Sequence, residues 1–194
     1  DIYTDGSCIG NPGPGGWGVV GPGMRVSGGQ DNTTNNAMEL TAAVKALEQC
    51  IARNILEITL FTDSTYVRNG ITSWIKNWKR NDWRIKSGEP VKNKELWIQI
   101  DTLIQRMNLV EWRWVKAHNG HPQNELVDSI AYQEALEIKN AKSAGKATTT
   151  RALSLKSNKF YGVVKGHVPG IYTTWDEAKA QVHGYKDAMY KSFK

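Results

Sequence analysis

Cysteine is nearly absent from the chain: Cys8 and Cys50 are the only two among 194 residues. Two thiols cannot build a disulfide framework, and these two lack the CxxC spacing of redox or metal sites. A reducing, cytoplasmic setting is therefore expected. Long apolar runs are also missing. Hydrophobic residues make up 40% of the chain, but no window approaches the roughly 18 consecutive apolar residues of a membrane span, and no membrane partner is expected. The chain opens on Asp1 rather than Met, so a trimmed targeting segment is left open. Acid is scarce at the far end. Residues 139–194 hold 11 basic and 3 acidic residues, a balance of +8, whereas residues 1–138 hold 14 and 16, a balance of −2. The excess positive charge thus belongs to the tail. A second local cluster, Trp74 to Lys94, has seven Lys or Arg against Asp82 and Glu89. Both point to a polyanionic partner.

The opening "DIYTDGSC" reads as a strand end, followed by the turn-rich "IGNPGPGG" and by "WGVVGPGMRVSGG", one or two further strands. Apolar residues at 37, 40, 43, 44, 47, 50 and 51 mark a helix. "ILEITLFT" (55–62) alternates and is β-branched, so it is a strand. Shorter helical segments follow around 64–80, a helix from about Asn93 to Met107, a strand at 109–115, and a last helix starting near Pro122. An α/β layer fold with a mixed sheet follows from that order. Residues 139–158 carry five basic residues, no acid and few bulky apolar groups, the composition of a flexible linker with a root-mean-square span of roughly 25 Å. Residues 159–194 then read as strand, Pro-Gly turn, strand, a helix opened by the T-x-x-E cap Thr174 to Glu177 and stopped at Gly184, and a third strand.

Aromatic-Thr-Asp-small-hydroxyl occurs twice, as Tyr3 to Ser7 and as Phe61 to Thr65, each time closing an apolar run. If the two strands are parallel neighbours, Asp5 and Asp63 emerge side by side beyond their carboxyl ends, where α/β sheets build sites. Two carboxylates so placed raise each other's pKa unless a cation lies between them, and a hard divalent ion such as Mg²⁺ suits such ligands. A strand-end Asp also commonly starts a turn or caps a helix. Glu39 admits a plain capping reading with Asn36, and Asp128 sits early in the last helix, where acid is favoured; Glu125 is its rival one turn before. His118, in "KAHNGHP", is placed to shuttle protons, and His121 reads as structural. Gly13 to Gly18 matches GxGxxG but enters a strand and contains Pro14, so it is no dinucleotide site; it is expected to let backbone approach a ligand closely.

Taken together, "YTDGSCIGNPGPGGWG", "TTNNAMELTAAVKAL", "FTDSTYVRNGITSWIKNWKRNDW", "PVKNKELW" and "WRWVKAHNGHPQNELVDSIA" closely resemble type 1 ribonuclease H over nearly all of residues 1–138. The resemblance implies a mixed five-stranded sheet flanked by helices. It implies that Asp5, Glu39, Asp63 and Asp128 hold two Mg²⁺ ions, or Mn²⁺ in their place, leaving Glu125 a bystander, and that His118 belongs to a mobile catalytic loop. Cys8, Asn11, Thr34, Asn35 and Asn36 then handle substrate, and Trp74, Trp78, Lys79, Arg80 and Trp83 fall on the basic protrusion that meets the DNA strand. Trp74 is assigned mainly to helix packing, and Lys79 and Arg80 to phosphate.

The tail, 159–194, resembles the hybrid-binding domain of such enzymes, a small ββαβ module in which Tyr161, Trp175, Tyr190 and Lys191 match the binding positions, while Phe160 and Phe193 read as core. Two departures stand out: that module more often precedes the nuclease domain, and Ser192 replaces an expected second basic residue. The short run before Asp5 suggests an incompletely represented first strand. The implied activity is metal-dependent hydrolysis of the RNA strand of an RNA/DNA hybrid by a monomer, leaving 5′-phosphate and 3′-hydroxyl ends. The rivals are a non-catalytic hybrid-binding protein and the ribonuclease H part of a reverse transcriptase.

Overall fold

The computed structural model of the protein describes residues 1–117, 120–143, 160–165, 170–172, 175, 179, 182–183 and 189–193. The chain divides into two compact units, Asp1–Ala152 and Leu153–Lys194.

In the first unit, β1 (Ile2–Cys8), β2 (Gly13–Gly21) and β3 (Met24–Thr33) form an antiparallel meander. β4 (Glu57–Thr62) and β5 (Leu109–Trp114) extend it in parallel, giving the order β3-β2-β1-β4-β5. This is the expected mixed sheet. Five α-helices accompany it among the described residues: α1 (Asn35–Ala52), α2 (Thr65–Asn69), α3 (Ile75–Arg80), α4 (Lys94–Ile104) and α5 (Pro122–Ser143), with a π-helical segment, Gly70–Trp74, between α2 and α3.

Alternation in β4 buries Ile58, Leu60 and Thr62 while leaving Glu57 exposed, as a strand with one core face requires. Leu40, Val44 and Leu47 of α1 meet Leu60, Val67, Trp97 and Ile100 in the main core. Across the sheet, Val127 and Ile130 of α5 cover Tyr3 and Val20, with Phe61 alongside. The glycines of β2 make this second layer possible. A Cβ on Gly16 would lie 2.1 Å from the Ala131 carbonyl oxygen, so only glycine lets α5 lie so close. At Gly16 and Gly18 of this glycine run the close approach is made to a helix of the protein itself.

α5 also runs five residues past the boundary expected at 138, ending at Ser143. Lys139, Ala141 and Lys142 are good helix formers, and Lys142 in the last turn complements the helix dipole. Composition read these residues as linker because it scores polarity, not helical propensity. Among the described residues no helix is long and apolar enough to cross a membrane.

In the second unit, β6 (Phe160–Lys165), β7 (Gly170–Tyr172) and β8 (Met189–Phe193) form an antiparallel sheet in the order β7-β6-β8. Val163 is buried, and Trp175, Lys179 and Val182 are helical. Thr174, Glu177 and Gly184, the expected cap and stop of that helix, lie outside the described residues.

Candidate active site

The duplicated pentapeptide is a register effect. β1 and β4 pair Ile2 with Leu60 and Tyr3 with Phe61, and the same offset two residues on sets Asp5 level with Asp63. The flanking residues lock that register. Tyr3 and Phe61 stack at 4.6 Å with 11° between ring planes, and the Thr4 hydroxyl donates to the Phe61 carbonyl at 3.2 Å. His121 packs against Tyr3 at 5.1 Å, in keeping with its structural reading.

α1 delivers the third carboxylate. Its N-cap is Thr34, whose hydroxyl accepts from the Ala37 amide at 3.2 Å. The capping arrangement of Asn36 with Glu39 is therefore not the one formed, and Glu39 turns inward instead. A Cβ on Gly6 would lie 2.2 Å from the Glu39 amide nitrogen, so glycine after Asp5 is what admits α1 so close to β1. Asp5, Glu39 and Asp63 each place a carboxylate oxygen within 4.8 Å of the others. Asp128, on α5, is a hydrogen-bonded neighbour of Asp5. Glu125 is exposed and accepts from the Gly120 amide at 3.0 Å, a local contact at the helix start.

Burial of charge dominates this cluster. Asp5 is 4% exposed and Glu39 5%. Burial first, then the charges of Asp63 and Asp128, push the Asp5 carboxyl up to about 8. Burial, reinforced by Asp5 and Asp63, holds Glu39 well above the ordinary carboxylate range. One Glu39 oxygen, Oε2, is buried without a hydrogen-bond partner. An orphaned buried oxygen in a nest of mutually repelling carboxylates is what a site for a hard divalent cation requires, since the ion supplies both the missing partner and the opposite charge. The donor set therefore fits Mg²⁺ or Mn²⁺.

Asp63 is held differently. Asn124 Nδ2 donates to Asp63 Oδ2 at 3.0 Å, and Asn124 itself is buried. Trp114 Nε1 donates to the Asp63 carbonyl at 2.9 Å. Sequence reasoning passed over both residues. The available signal for Asn124 was its place four residues before Asp128, on the same helix face.

Around the cluster, Cys8 Sγ donates to the Gly10 carbonyl at 2.8 Å and lies 3.4 Å from that of Thr33, and burial raises its thiol pKa. Asn11 Oδ1 accepts from the Asn35 amide at 3.2 Å, tying the β1–β2 turn to the start of α1, where Asn36 follows. His118 lies outside the described residues.

On the basic segment, Trp74 packs on Trp78 at 5.6 Å and on Tyr66 at 5.8 Å, and Trp78 on Trp97 at 5.4 Å, so Trp78 shares the packing role assigned to Trp74. Lys79 forms an ion pair with Asp101 at 2.8 Å, while Arg80 is exposed. A cleft of about 330 Å³ opens between Asn77, Trp78, Asn81, Arg84, Ile85 and Lys86; it belongs to this basic segment and takes in none of the carboxylates. In the second unit, Trp175 contacts Tyr161 at 5.4 Å and Tyr190 at 5.2 Å. Tyr190 is half exposed, and Lys191 follows it on β8 opposite Gly162.

Residues 1–136 match the family described as RNase H, and residues 159–194 match the Ribonuclease H1 N-terminal domain. The chain is 46% identical to a ribonuclease H of Chelativorans sp. (strain BNC1) over 153 residues, 77% of this chain and 93% of that protein. It is 48% identical to the ribonuclease H of Xanthomonas campestris pv. campestris (strain 8004), over 77% of this chain and 97% of that one. Among solved structures it is similar to LC9-RNase H1, a type 1 RNase H with the type 2 active-site motif (TM-score 0.62, 29% identity, 93% of this chain and 80% of that chain). The foamy viral protease-reverse transcriptase solved with an RNA/DNA hybrid shares the fold over 70% of this chain and 20% of that chain (TM-score 0.62, 22% identity). With the matched domain carrying the carboxylate cluster and the matched module carrying the aromatic patch, the chain belongs to the ribonuclease H family, as an enzyme with an RNase H domain followed by a hybrid-binding module of the RNase H1 kind.

Proposed function

We propose that the protein hydrolyses the RNA strand of RNA/DNA hybrids at the carboxylate cluster, leaving 5′-phosphate and 3′-hydroxyl ends. The observation that supports this best is the convergence of Asp5, Glu39 and Asp63 within 4.8 Å, with Asp128 bonded to Asp5. These four side chains would hold two Mg²⁺ ions. When bound, such ions activate water and stabilise the leaving oxygen.

The protein's own contribution is placement. Asp5 and Glu39 are fixed by burial and by the close contact of α1 with β1, and Asp63 by Asn124 and Trp114. Burial raises the Asp5 and Glu39 carboxyls, which favours protons on these two groups that a cation would displace. His118 would accept or return a proton at the reacting phosphate, and the amides of Asn11, Asn35 and Asn36 would meet the sugar-phosphate chain. Recognition of 2′-hydroxyls on one strand supports selection of a hybrid over duplex DNA, and dominance of phosphate and sugar contacts makes base identity secondary.

The aromatic patch of Tyr161, Trp175 and Tyr190, with Lys191, would stack on sugars and meet phosphate. A tethered second site raises the effective concentration of hybrid at the first.

The test compares cleavage of labelled RNA/DNA hybrid, RNA duplex and DNA duplex, in Mg²⁺ and in chelator, for the wild type and Asp63→Asn. Only the hybrid should be cut, only with metal, and the variant should be inactive. Equal cutting of all three duplexes, or an active variant, would overturn the proposal.

A further inference from the structure

We infer that Trp114 is a positioning residue for Asp63, fixing the backbone of that carboxylate through its indole N–H. The inference rests on the reading of Asp63 as a metal-holding group.

The β4–β5 ladder ends at the pair Thr62 and Trp114, with the Val115 amide donating to the Thr62 carbonyl at 3.0 Å. One residue further, Asp63 lies past the end of β4. Trp114 Nε1 donates to its carbonyl at 2.9 Å, so a side chain takes over where the strand stops. Apolar burial does not explain the ring's placement, since Trp114 is 42% exposed. It is held instead by its N–H and by the Arg68 guanidinium, 5.3 Å from its ring centroid. Arg68 sits in the last turn of α2, whose N-cap is Ser64, the residue after Asp63.

Ser64 closes the other side. Its amide donates to the Thr62 hydroxyl at 3.1 Å, and its own hydroxyl accepts from the Val67 amide at 3.2 Å. Asp63 is thereby pinned at its carbonyl by Trp114 and at its carboxylate by Asn124. Groups that orient a metal ligand tune affinity by about 10–100-fold, and a shift of about 1 Å in a reacting group can cost about 10²-fold.

The discriminating experiment replaces Trp114 with β-(3-benzothienyl)alanine, which keeps the bicyclic ring and its contact with Arg68 but deletes the N–H. Trp114→Phe serves as a second variant, and circular dichroism with thermal unfolding in chelator checks the fold of both. Calorimetric titration with Mg²⁺ alone should give a dissociation constant about 3–10-fold higher for the isostere. Its kcat on hybrid should fall about tenfold with KM unchanged.

Wild-type Mg²⁺ affinity and kcat in the isostere would overturn the inference. So would a raised KM with kcat and Mg²⁺ affinity intact, which would make the ring a stacking face for nucleic acid. Failure of the wild type itself to bind Mg²⁺ would remove the carboxylate reading, and this inference with it. Wild-type binding with an indifferent variant would remove this inference alone.

Discussion

Asp5 and Asp63 occupy equivalent places on neighbouring parallel strands, yet the protein treats them in opposite ways. Asp5 and its partner Glu39 are almost fully buried, and one Glu39 oxygen has no donor; Gly6 admits α1, and what gathers there is carboxyl groups. Asp63 is half-buried and well supplied: an amide from Asn124 on its carboxylate and an indole N–H on its carbonyl. One half of the site is thus assembled against its own electrostatics, and the other is organised by hydrogen bonds. A cation relieves the first half and finds the second already in place. The difference teaches that two residues written with one motif can serve one metal site through distinct physics.

The largest effect expected from this contrast is at Asp5. Asp5→Asn should lower kcat by roughly 10³-fold, the scale on which a principal group of a catalytic site is lost, and should raise the unfolding temperature in chelator by several degrees. The pH dependence of the wild type carries the same information. The folded Asp5 carboxyl, pushed up to about 8 from 3.8, keeps its proton where the unfolded chain has lost it, so the native state binds more protons across that window. The contribution of Asp5 to apo stability should therefore be fully present below about pH 4 and be lost as pH rises toward 8, so the apo wild type should lose more stability over that window than Asp5→Asn does. Mg²⁺ should flatten that decline by binding the ionised native form. Thermal unfolding of both proteins at several pH values, with chelator and with Mg²⁺, checks both statements; an apo wild type that loses no more stability than Asp5→Asn over this range would contradict them.

The well-supplied half should respond with the other sign. Asn124→Ala strips the Asp63 carboxylate of its donor and leaves a hole at a buried position, so stability in chelator should drop by about 1–3 kcal/mol. Mg²⁺ affinity should weaken about 10–100-fold. If Asn124→Ala stabilised the apo protein as Asp5→Asn does, the two halves would not differ in kind.

How much of this was legible follows from what each feature depends on. The strand–helix order and the pairing of Asp5 with Asp63 were readable because alternation, helical stripes and a repeated pentapeptide are local signals whose meaning survives in the fold. Glu39 was ambiguous because Thr34 and Asn36 offer competing caps, and only the contact at Gly6 decides where α1 sits. Asn124 and Trp114 were not readable as site residues. Their roles come from meetings over 61 and 51 positions, which no spacing rule anticipates. The tail of α5 reads as linker in composition because Lys, Asn, Ala and Ser supply no bulky apolar group, whereas Lys and Ala are good helix formers.

The smallest predicted effect lies outside the cluster, on the basic segment, where Lys79 and Arg80 read alike in the sequence as phosphate contacts. The structure separates them: Lys79 is paired with Asp101 at 2.8 Å, and the pair is 45% and 22% exposed, whereas Arg80 faces solvent. A cation already answered by a carboxylate contributes less to binding a phosphate than an open one. Exposed pairs of this kind contribute at most about 1 kcal/mol to stability, so either partner can be changed without unfolding the protein. Asp101→Asn should release Lys79, tightening hybrid binding in chelator by about 2–3-fold and steepening the salt dependence by less than about one phosphate contact. Arg80→Ala should weaken binding more than Lys79→Ala does. Fluorescence anisotropy of a labelled hybrid across a salt series reads all three variants. Asp101→Asn with unchanged affinity and slope would make Lys79 a structural residue, and the protrusion's grip on phosphate would then rest on Arg80 and its other exposed cations.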